Sequence, residues 1–302
     1  MRFSLELPTT RVDQVEEFVT AEAVAEITAA AARAGFSAVN VTDHPAPDTR
    51  WLDHGGHHAL DPLVTLAVAA AADPSILLHT NVFVPAYRNP FLAAKGIQTL
   101  DVLSNGRLVL GVAAGYLKPE FAALGADFDR RGAALDDALA LLDPLLRGDD
   151  VARSGPGYDA RGVRLRPVAP RGRPPIWVGG NSRPARRRAA RFDGWAPFHT
   201  SGFAAASRTE PLESIDDLAA AITEVRALAA EHRGDQPTDR PLDICWSDPA
   251  LGRAEATHAE RADRVRELAA VGVTWLVVSL PAPTRADLIA DVEAFGREVV
   301  AR

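Results

Sequence analysis

Asp43 and His44 place a carboxylate beside an imidazole, directly after a short β-branched segment. Such a pair can transfer a proton. Imidazole exchanges protons near neutral pH and also forms hydrogen bonds to polarised ring systems. Because such a dipeptide also occurs by chance, its meaning depends on where the fold places it. We take His44 as the candidate catalytic residue, with Asp43 beside it in a binding site.

A glycine-rich turn, Gly179-Gly180-Asn181, lies between the apolar segment PPIWV and a helix that begins near Pro184. Backbone N–H groups in such a turn favour an anion, and phosphate is the natural ligand. A flexible connection without a ligand is the alternative for a turn of this composition. Of the arginines that follow, only Arg183 suggests a ligand contact, because a charged outer helix face explains the others.

Three histidines near Asp53, namely His54, His57 and His58, carry side chains that bind zinc and similar metals. We do not predict a metal site from them, because no second ligand cluster accompanies them and Cys245 is the one cysteine. The sequence also lacks a Gly-x-Ser-x-Gly nucleophile elbow and a Gly-x-Gly-x-x-Gly dinucleotide fingerprint. It therefore argues against metal-dependent chemistry, serine hydrolysis and a Rossmann NAD site.

Short apolar, β-branched segments alternate with Ala- and Leu-rich helical segments along the whole chain, which is typical of repeated βα units. The predicted strands are residues 2–7, 37–42, 76–84, 107–112, 175–178, 194–197, 242–246 and 274–280. The predicted helices are residues 21–34, 61–72, 90–103, 135–146, 184–190, 215–232, 260–270 and 285–300. Eight complete units favour an α/β fold of the closed (β/α)8 TIM-barrel type, with an open doubly wound sheet as the alternative.

Local signals mark where some of these elements begin and end. Asp61 and Asn89 each precede a proline suited to the first helical turn, so both are predicted N-caps. Asn105-Gly106 is predicted to end the third helix, since both residues tolerate left-handed backbone geometry. Residues 148–173 interrupt the alternation and predict an insertion between helix four and strand five, in which the segment GVRLRPV forms a hairpin strand.

In a parallel barrel the C-terminal ends of all strands meet at one rim, where active sites are built. The long loop after strand two, residues 43–60, would belong to this rim, and its length is a functional indication. The predicted strand ends place at the rim Asp43-His44 after strand two, Asn81-Val82 in strand three, Ala114-Gly115 after strand four and Gly179-Gly180-Asn181 after strand five.

The chain's 302 residues suit one barrel, and we predict a single domain over residues 1–302. Hydrophobic residues make up 47% and charged residues 24%, which argues against disorder. A net charge of −7 provides no basic field, so we expect no nucleic-acid partner. No apolar run reaches transmembrane length and the first residues lack signal-peptide features, so we expect a cytoplasmic protein with no membrane partner.

The middle of the chain closely resembles luciferase-like oxidoreductases that depend on coenzyme F420. Four segments carry the resemblance: TDHPAP, HHALDPLVTLAVAAA, PPIWVGG and the highly specific YRNPFLAAKGIQTLDVLSNGRLVLGVAAGYLKPEF. It covers residues 41–180 and looks most like the actinobacterial branch of uncharacterised members, which suits the Ala- and Arg-rich, Lys-poor composition. The resemblance implies a barrel whose C-terminal face holds the deazaflavin.

The resemblance also implies what the rim residues do. It implies a non-prolyl cis peptide between Asn81 and Val82, which pushes a bulge against one face of the cofactor ring. The other matches are Asp43 and His44 as ring contacts, Ala114 and Gly115 as a turn near the ring, and Gly179 and Gly180 as the phosphate turn, which Asn181 continues. No metal is implied.

Two departures from the family pattern leave the substrate open. Tyr116 stands where some relatives carry a glutamate that handles substrate, and Asn81 replaces the small residue often found before the bulge. The hypothesis is hydride transfer between C5 of F420 and a small-molecule substrate, with His44 exchanging the accompanying proton. An FMN-dependent luciferase-like monooxygenase and a non-catalytic F420-binding protein are the alternatives, and the family implies a homodimer.

Overall fold

A computed structural model describes residues 1–200, 209–233 and 241–301. Its strands are β1 (Arg2–Glu6), β2 (Ala38–Val41), β3 (Leu77–Phe83), β4 (Leu108–Val112), β5 (Val151–Gly155), β6 (Tyr158–Val163), β7 (Ile176–Gly179), β8 (Gly194–Ala196), β9 (Asp243–Ser247) and β10 (Trp275–Val278). Eight of them close into a parallel barrel in the order β1, β10, β9, β8, β7, β4, β3, β2. The predicted closed barrel is confirmed against the open sheet.

Helices follow the strands as predicted and cover the outside of the barrel. They are α1 (Val15–Phe18), α2 (Ala21–Arg33), α3 (Thr49–Asp53), α4 (Pro62–Ala72), α5 (Pro90–Leu103), α6 (Lys118–Ala123), α7 (Arg131–Arg147), α8 (Arg183–Ala189), α9 (Ile215–Arg233), α10 (His258–Ala270) and α11 (Arg285–Phe295), which continues as a π-helical turn, Gly296–Val300. The sequence did not predict α1, α3 and α6, because helices of 4 to 6 residues are too short to display a helical period.

The helix-boundary predictions are confirmed in detail. The Asp61 side chain accepts hydrogen bonds from the backbone N–H groups of the first turn of α4, and the Asn89 side chain does the same for α5. Past the end of α5, Asn105 and Gly106 both have positive φ, at 58° and 77°. These caps fix where the chain enters and leaves β3 and β4, the strands that carry the rim residues at 81, 82, 114 and 115.

The insertion forms a hairpin, but with a different second strand from the one predicted. β5 and β6 pair antiparallel, with Val151 opposite Val163 and Gly155 opposite Tyr158. A tight turn at Pro156-Gly157, where Gly157 has φ 77°, sets this register. β6 ends at Val163, which pairs with Val151, the first residue of β5. Most of the predicted segment GVRLRPV therefore lies beyond the hairpin.

Side chains alternate between the two sides of the barrel wall. On β1, Phe3 packs outward into the core shared with the helices, whereas Ser4 points inward and lies 3.3 Å from Nδ1 of His79. Deeper in the barrel, the Trp177 ring stacks edge-on against His79 and against Trp275, with centroids 4.9 and 5.0 Å apart. The barrel interior is therefore filled by side chains below the rim.

Cys245 lies on β9 within this inner layer. It belongs to the same buried cluster as Trp177 and Trp275, and only 2% of it is exposed. Burial, reinforced by the nearby Asp243 carboxylate, raises the pKa of the Cys245 thiol. The thiol is therefore protonated at neutral pH and closed off from solvent.

Within the described residues, no helix combines the length and the apolarity needed to cross a membrane.

Gly111 is expected to be essential for the contact between β3 and β4. A Cβ added there would lie 2.1 Å from the Thr80 carbonyl oxygen, directly before the irregular part of β3. We expect Gly111→Ala to lower the free energy of unfolding by about 3 kcal/mol through overpacking, as measured by urea denaturation.

Gly96→Ala is the matched control, because its added Cβ meets only the flexible end of the Leu63 side chain. A gain in helix propensity of about 1 kcal/mol opposes that contact. Equal losses of stability in Gly96→Ala and Gly111→Ala would contradict the prediction.

Candidate active site

Asp43, the first residue of the predicted pair, is held from two directions at the end of β2. Its carboxylate accepts two hydrogen bonds from the Arg88 guanidinium, at 2.7 and 2.8 Å, and one from the Val84 backbone N–H at 2.9 Å. The residue is 2% exposed. Asp43 therefore joins the end of β2 to the segment after β3 and fixes the backbone from which His44 projects.

His44 is hydrogen-bonded at both ring nitrogens. Nδ1 lies 3.1 Å from a carboxylate oxygen of Glu120, and Nε2 lies 3.2 Å from the Tyr116 hydroxyl. Because an ionised carboxylate can only accept, Nδ1 carries the proton and Nε2 accepts from the Tyr116 O–H. The ring is thus oriented with its basic nitrogen toward Tyr116, the arrangement expected of a group that takes up a proton at Nε2.

Glu120 is fully buried and completes this site, although the sequence reasoning did not single it out. Its carboxylate accepts further hydrogen bonds from the Ala46 backbone N–H at 2.9 Å and the Tyr87 hydroxyl at 2.8 Å. Burial alone would raise the pKa of Glu120, but the hydrogen bonds from His44, Ala46 and Tyr87 outweigh it and lower the pKa. The carboxylate is therefore ionised beside His44.

The sequence signal that could have identified Glu120 lies in the segment KPEF on α6, where this charged residue directly precedes an aromatic one. Phe121 is fully buried in a cluster with Val84 and Tyr87, so Glu120 enters the protein with it. Burial and the Glu120 charge together raise the pKa values of the Tyr87 and Tyr116 hydroxyls. Both phenols therefore act as hydrogen-bond donors at neutral pH.

The loop after β2 covers His44 with aromatic rings. Trp51 on α3 lies 4.7 Å from the His44 ring and His57 lies 5.0 Å from it, as measured between ring centroids. Burial, with a smaller contribution from His44, lowers the pKa of His57 to about 4. The loop whose length indicated function thus closes one side of the histidine.

The other histidines of that loop, His54 and His58, are both exposed. Nδ1 of His54 lies 2.6 Å from the Arg50 carbonyl oxygen, and the residue is exposed. Among the described residues, no group of three His, Cys, Asp or Glu side chains is arranged to hold a metal ion. His57 instead contributes to the aromatic cover of His44.

The third strand carries the bulge that the family resemblance implies. The Asn81–Val82 peptide bond is cis, and the pairing of β3 with β4 shifts register between Thr80 and Phe83. The Val82 side chain is half-buried and lies against Gly179 of β7, where an added Cβ would be 3.3 Å from it. The bulge therefore reaches past β4 to Gly179, where the glycine-rich turn begins.

The turn after β4 lies next to this bulge. Gly115 has φ 78°, and a Cβ there would lie 2.8 Å from the Phe121 ring and 3.1 Å from Val84. Ala114 and Gly115 are both half-buried at the rim. Only glycine fits at 115, so the chain passes close over the packed side chains and leads directly to Tyr116.

In the turn after β7, the side chain of Asn181 is occupied by the backbone. Its amide donates to the carbonyls of Phe198 and Glu210, at 2.8 and 3.2 Å, and accepts from the Phe198 N–H at 3.0 Å. Gly180 is half-buried with φ 108°. The Arg183 N–H, at the start of α8, donates to a carboxylate oxygen of Glu210 at 3.0 Å. An anionic group therefore already lies at this turn.

The predicted site residues all lie on one half of the rim. β2, β3, β4 and β7 are consecutive in the barrel, and their C-terminal ends carry the residues at 43–44, 81–82, 114–115 and 179–181. The other half, formed by β8, β9, β10 and β1, borders a cavity of about 860 Å³. No residue in that cavity was singled out from the sequence.

A family model described as luciferase-like monooxygenase matches residues 1–262. The chain belongs to this family. A solved structure, the monooxygenase RslO1 from Streptomyces bottropensis, aligns over 100% of this chain and 99% of its own, with a TM-score of 0.80 and 18% identity. That likeness concerns the fold.

Two curated relatives differ in their cofactor. An F420-dependent glucose-6-phosphate dehydrogenase from Beutenbergia cavernae is 36% identical over 182 residues, which cover 58% of this chain and 52% of the relative. An FMNH(2)-dependent dimethylsulfone monooxygenase from Pseudomonas fluorescens is 31% identical over 170 residues, covering 55% of this chain and 43% of the relative. The chain thus matches about half the length of each.

Protonation of His57 is expected to destabilise the folded protein in mildly acidic solution. Its pKa is about 6.5 when unfolded and about 4 when folded, so the stabilising contribution is complete above pH 6.5 and is lost as the pH falls toward 4. We expect His57→Gln to remove about 1 kcal/mol of the stability loss between about pH 7 and pH 5, a value discounted for partial solvent exposure.

Urea unfolding at the two pH values measures this difference. His54→Gln is the matched control, because its exposed ring bonds only the Arg50 carbonyl and should leave the pH dependence as it is. A wild-type pH dependence in His57→Gln would refute the assignment.

Proposed function

We propose that this protein is an F420-dependent oxidoreductase that transfers a hydride between the deazaflavin and a small organic substrate. The observation that carries the proposal is the His44–Glu120 pair, with a 3.1 Å hydrogen bond, beside the Val82 bulge at the rim of a luciferase-like barrel. The similarity to an F420-dependent dehydrogenase supports the choice of cofactor.

The residues present fit a flat ring at the bulge. Val82 is half-buried, and the neighbouring positions on β4 and β7 are Gly111 and Gly179, which carry no side chains toward it. Asn81, Ala114 and the other half-buried positions of this half would line the ring. The turn at Gly180 and the Arg183 N–H would adjoin its phosphate, while the Gly180 N–H itself donates to the Ala196 carbonyl oxygen at 3.2 Å. When bound, the deazaflavin supplies the hydride-carrying carbon, C5.

Asp43 would contribute through positioning, because its carboxylate is already used by Arg88 and the Val84 N–H. Asn181 would likewise shape the phosphate turn through the backbone groups that its amide binds. The Glu210 carboxylate, at the Arg183 N–H, occupies the place proposed for the phosphate. Binding would therefore require the Glu210 side chain to leave both the Arg183 N–H and its ion pair with the buried Arg186 guanidinium.

His44 would exchange the proton at Nε2. Glu120 holds Nδ1–H and, as an ionised neighbour, stabilises the imidazolium that forms when Nε2 takes up a proton. Tyr116 is the group in contact with Nε2, at 3.2 Å, so the proton would pass through or beside its hydroxyl. The cover formed by Trp51 and His57 keeps bulk water from this nitrogen.

His44→Asn is expected to lower kcat by about 100-fold to 10,000-fold, the usual contribution of a general acid or base, while the Kd for F420 changes several-fold at most. Steady-state turnover and deazaflavin fluorescence measure the two quantities. His54→Asn, which alters the exposed histidine of the same loop, is the control and should leave both unchanged. An undiminished kcat in His44→Asn would reject the proton-transfer role.

A flavin monooxygenase is the second candidate, favoured by the 31% identity to an FMNH(2)-dependent enzyme. Titration of the apoprotein with F420 and with FMN, each followed by fluorescence, separates the two proposals. We expect saturable binding of F420 at lower concentration than FMN. Tight FMN binding without F420 binding would overturn the choice of deazaflavin, and F420 binding without turnover on alcohols, enones and imines would favour a non-catalytic binding protein.

A further inference from the structure

The second half of the rim borders a cavity of small-molecule size. Its volume of about 860 Å³ lies within the range of roughly 300–1,000 Å³ usual for such sites. The wall comes from the ends of β1, β8, β9 and β10 and from the loops after them, in the ranges 6–11, 198–199, 247–254 and 277–283. The cavity therefore lies on the same face of the barrel as the proposed cofactor residues, which occupy the other half of the rim.

Arg11 is the arginine of the described wall, and three contacts hold its guanidinium in place. The guanidinium donates to the Ala282 carbonyl oxygen and to the Gln14 side-chain oxygen, and it lies 4.1 Å from the centroid of the Phe18 ring. The Gln14 amide in turn donates to the Pro283 carbonyl oxygen at 3.4 Å. The guanidinium is thus fixed between the loop after β1 and the loop after β10.

These contacts orient the positive charge of Arg11 without neutralising it. Both hydrogen-bond acceptors and the ring are neutral, and none of the ion pairs formed by residues 1–200, 209–233 and 241–301 includes Arg11. The two bonds use two of the five N–H groups of a guanidinium, so the others can still donate. Because Arg11 is half-buried, a charge pair made there is stronger than one on an open surface.

The carboxyl groups of the described wall are engaged elsewhere. The Asp248 carboxylate pairs with Arg264 at 2.8 Å. Glu6 is half-buried beside the Ser279 hydroxyl, and burial raises the pKa of Glu6 more than that hydrogen bond lowers it. Arg11 is not among the groups that shift the pKa of Glu6, so the two charged groups occupy separate parts of the wall.

Strand order gives the cavity a direction. Glu6 ends β1 and lies opposite Asn40 on β2, the strand that leads to His44. Arg11 instead bonds the loop after β10, which lies on the far side of β1 from β2. A molecule with its negative end at Arg11 would extend its uncharged end along the cavity toward the half of the rim that carries His44.

Resting on the proposed function, we infer that this cavity is the substrate site and that Arg11 binds an oxyanion of the substrate, a carboxylate or a phosphate group. The planar fork of a guanidinium matches either group with two parallel hydrogen bonds. Phe198, Val277 and Leu280 would contact the apolar part of the molecule. The reacting carbon would then lie toward the cofactor half, with the charge held away from it.

Binding of three ligands with the same ring to the apoprotein tests this inference without any cofactor. The probes are cyclohexanecarboxylate, cyclohexyl phosphate and the uncharged cyclohexylmethanol, each titrated by isothermal titration calorimetry. We expect at least one anion to bind about tenfold more tightly than the alcohol, which corresponds to about 1.4 kcal/mol. The tighter of the two anions identifies the oxyanion as a carboxylate or a phosphate.

Arg11→Gln should abolish this preference and leave the Kd of cyclohexylmethanol unchanged. Arg253→Gln is the matched control, because Arg253 is exposed between the wall residues Gly252 and Ala254 without belonging to the wall itself. It removes the same charge and should retain the preference. Equal binding of all three ligands by the wild type, or a preference that survives in Arg11→Gln, would overturn the inference.

Labelling of the wild-type protein keeps the inference testable if Arg11→Gln does not fold. Phenylglyoxal modifies guanidinium groups, and peptide mass spectrometry locates the modified arginines. The anion that binds more tightly should slow the modification of Arg11 and not that of Arg253, and equal rates at Arg11 with and without the anion would contradict the assignment. A separate titration with F420 reports on the proposed function, so a failure to bind F420 is distinguished from a failure to bind the anions.

Discussion

The buried carboxylate of Glu120 is the interaction on which the arrangement of the candidate site depends. It accepts hydrogen bonds from the His44 ring after β2, from the Ala46 N–H in the same loop and from Tyr87 after β3, while its own residue follows β4. One charge therefore ties three successive strand ends together. A buried charge is stable only when its hydrogen-bonding capacity is filled, so these three segments are held in one arrangement.

Bonds among its own side chains hold the half of the rim with β2, β3 and β4. There the Asp43 carboxylate pairs with the Arg88 guanidinium, and the Glu120 carboxylate accepts hydrogen bonds from three neutral donors, the His44 Nδ1–H, the Ala46 N–H and the Tyr87 hydroxyl. On the half with β1 and β8 to β10, the Glu6 carboxyl group is half-buried beside the Ser279 hydroxyl. The first half is thus built to keep its geometry fixed.

Periodicity and capping signals predicted the barrel, because they depend on local sequence: Asp61, Asn89 and Asn105 act as their types suggest. The cis bond at Asn81–Val82 came from family resemblance, since nothing local in Asn-Val demands it. Glu120 and the true limits of β6 were missed. The role of Glu120 depends on its contact with His44, 76 residues away in the sequence. The limits of β6 depend on the pairing register that the turn at Gly157 sets.

Cys245 gives the barrel a built-in reporter of its own opening. The chain's single thiol belongs to the same buried cluster as Trp177 and Trp275 inside the closed strands, with 2% of it exposed. A thiol reagent can reach the sulfur only when neighbouring strands separate, so the rate of modification under native conditions measures how often the barrel opens. For the same reason, oxidants in solution find no accessible cysteine thiol on the folded protein.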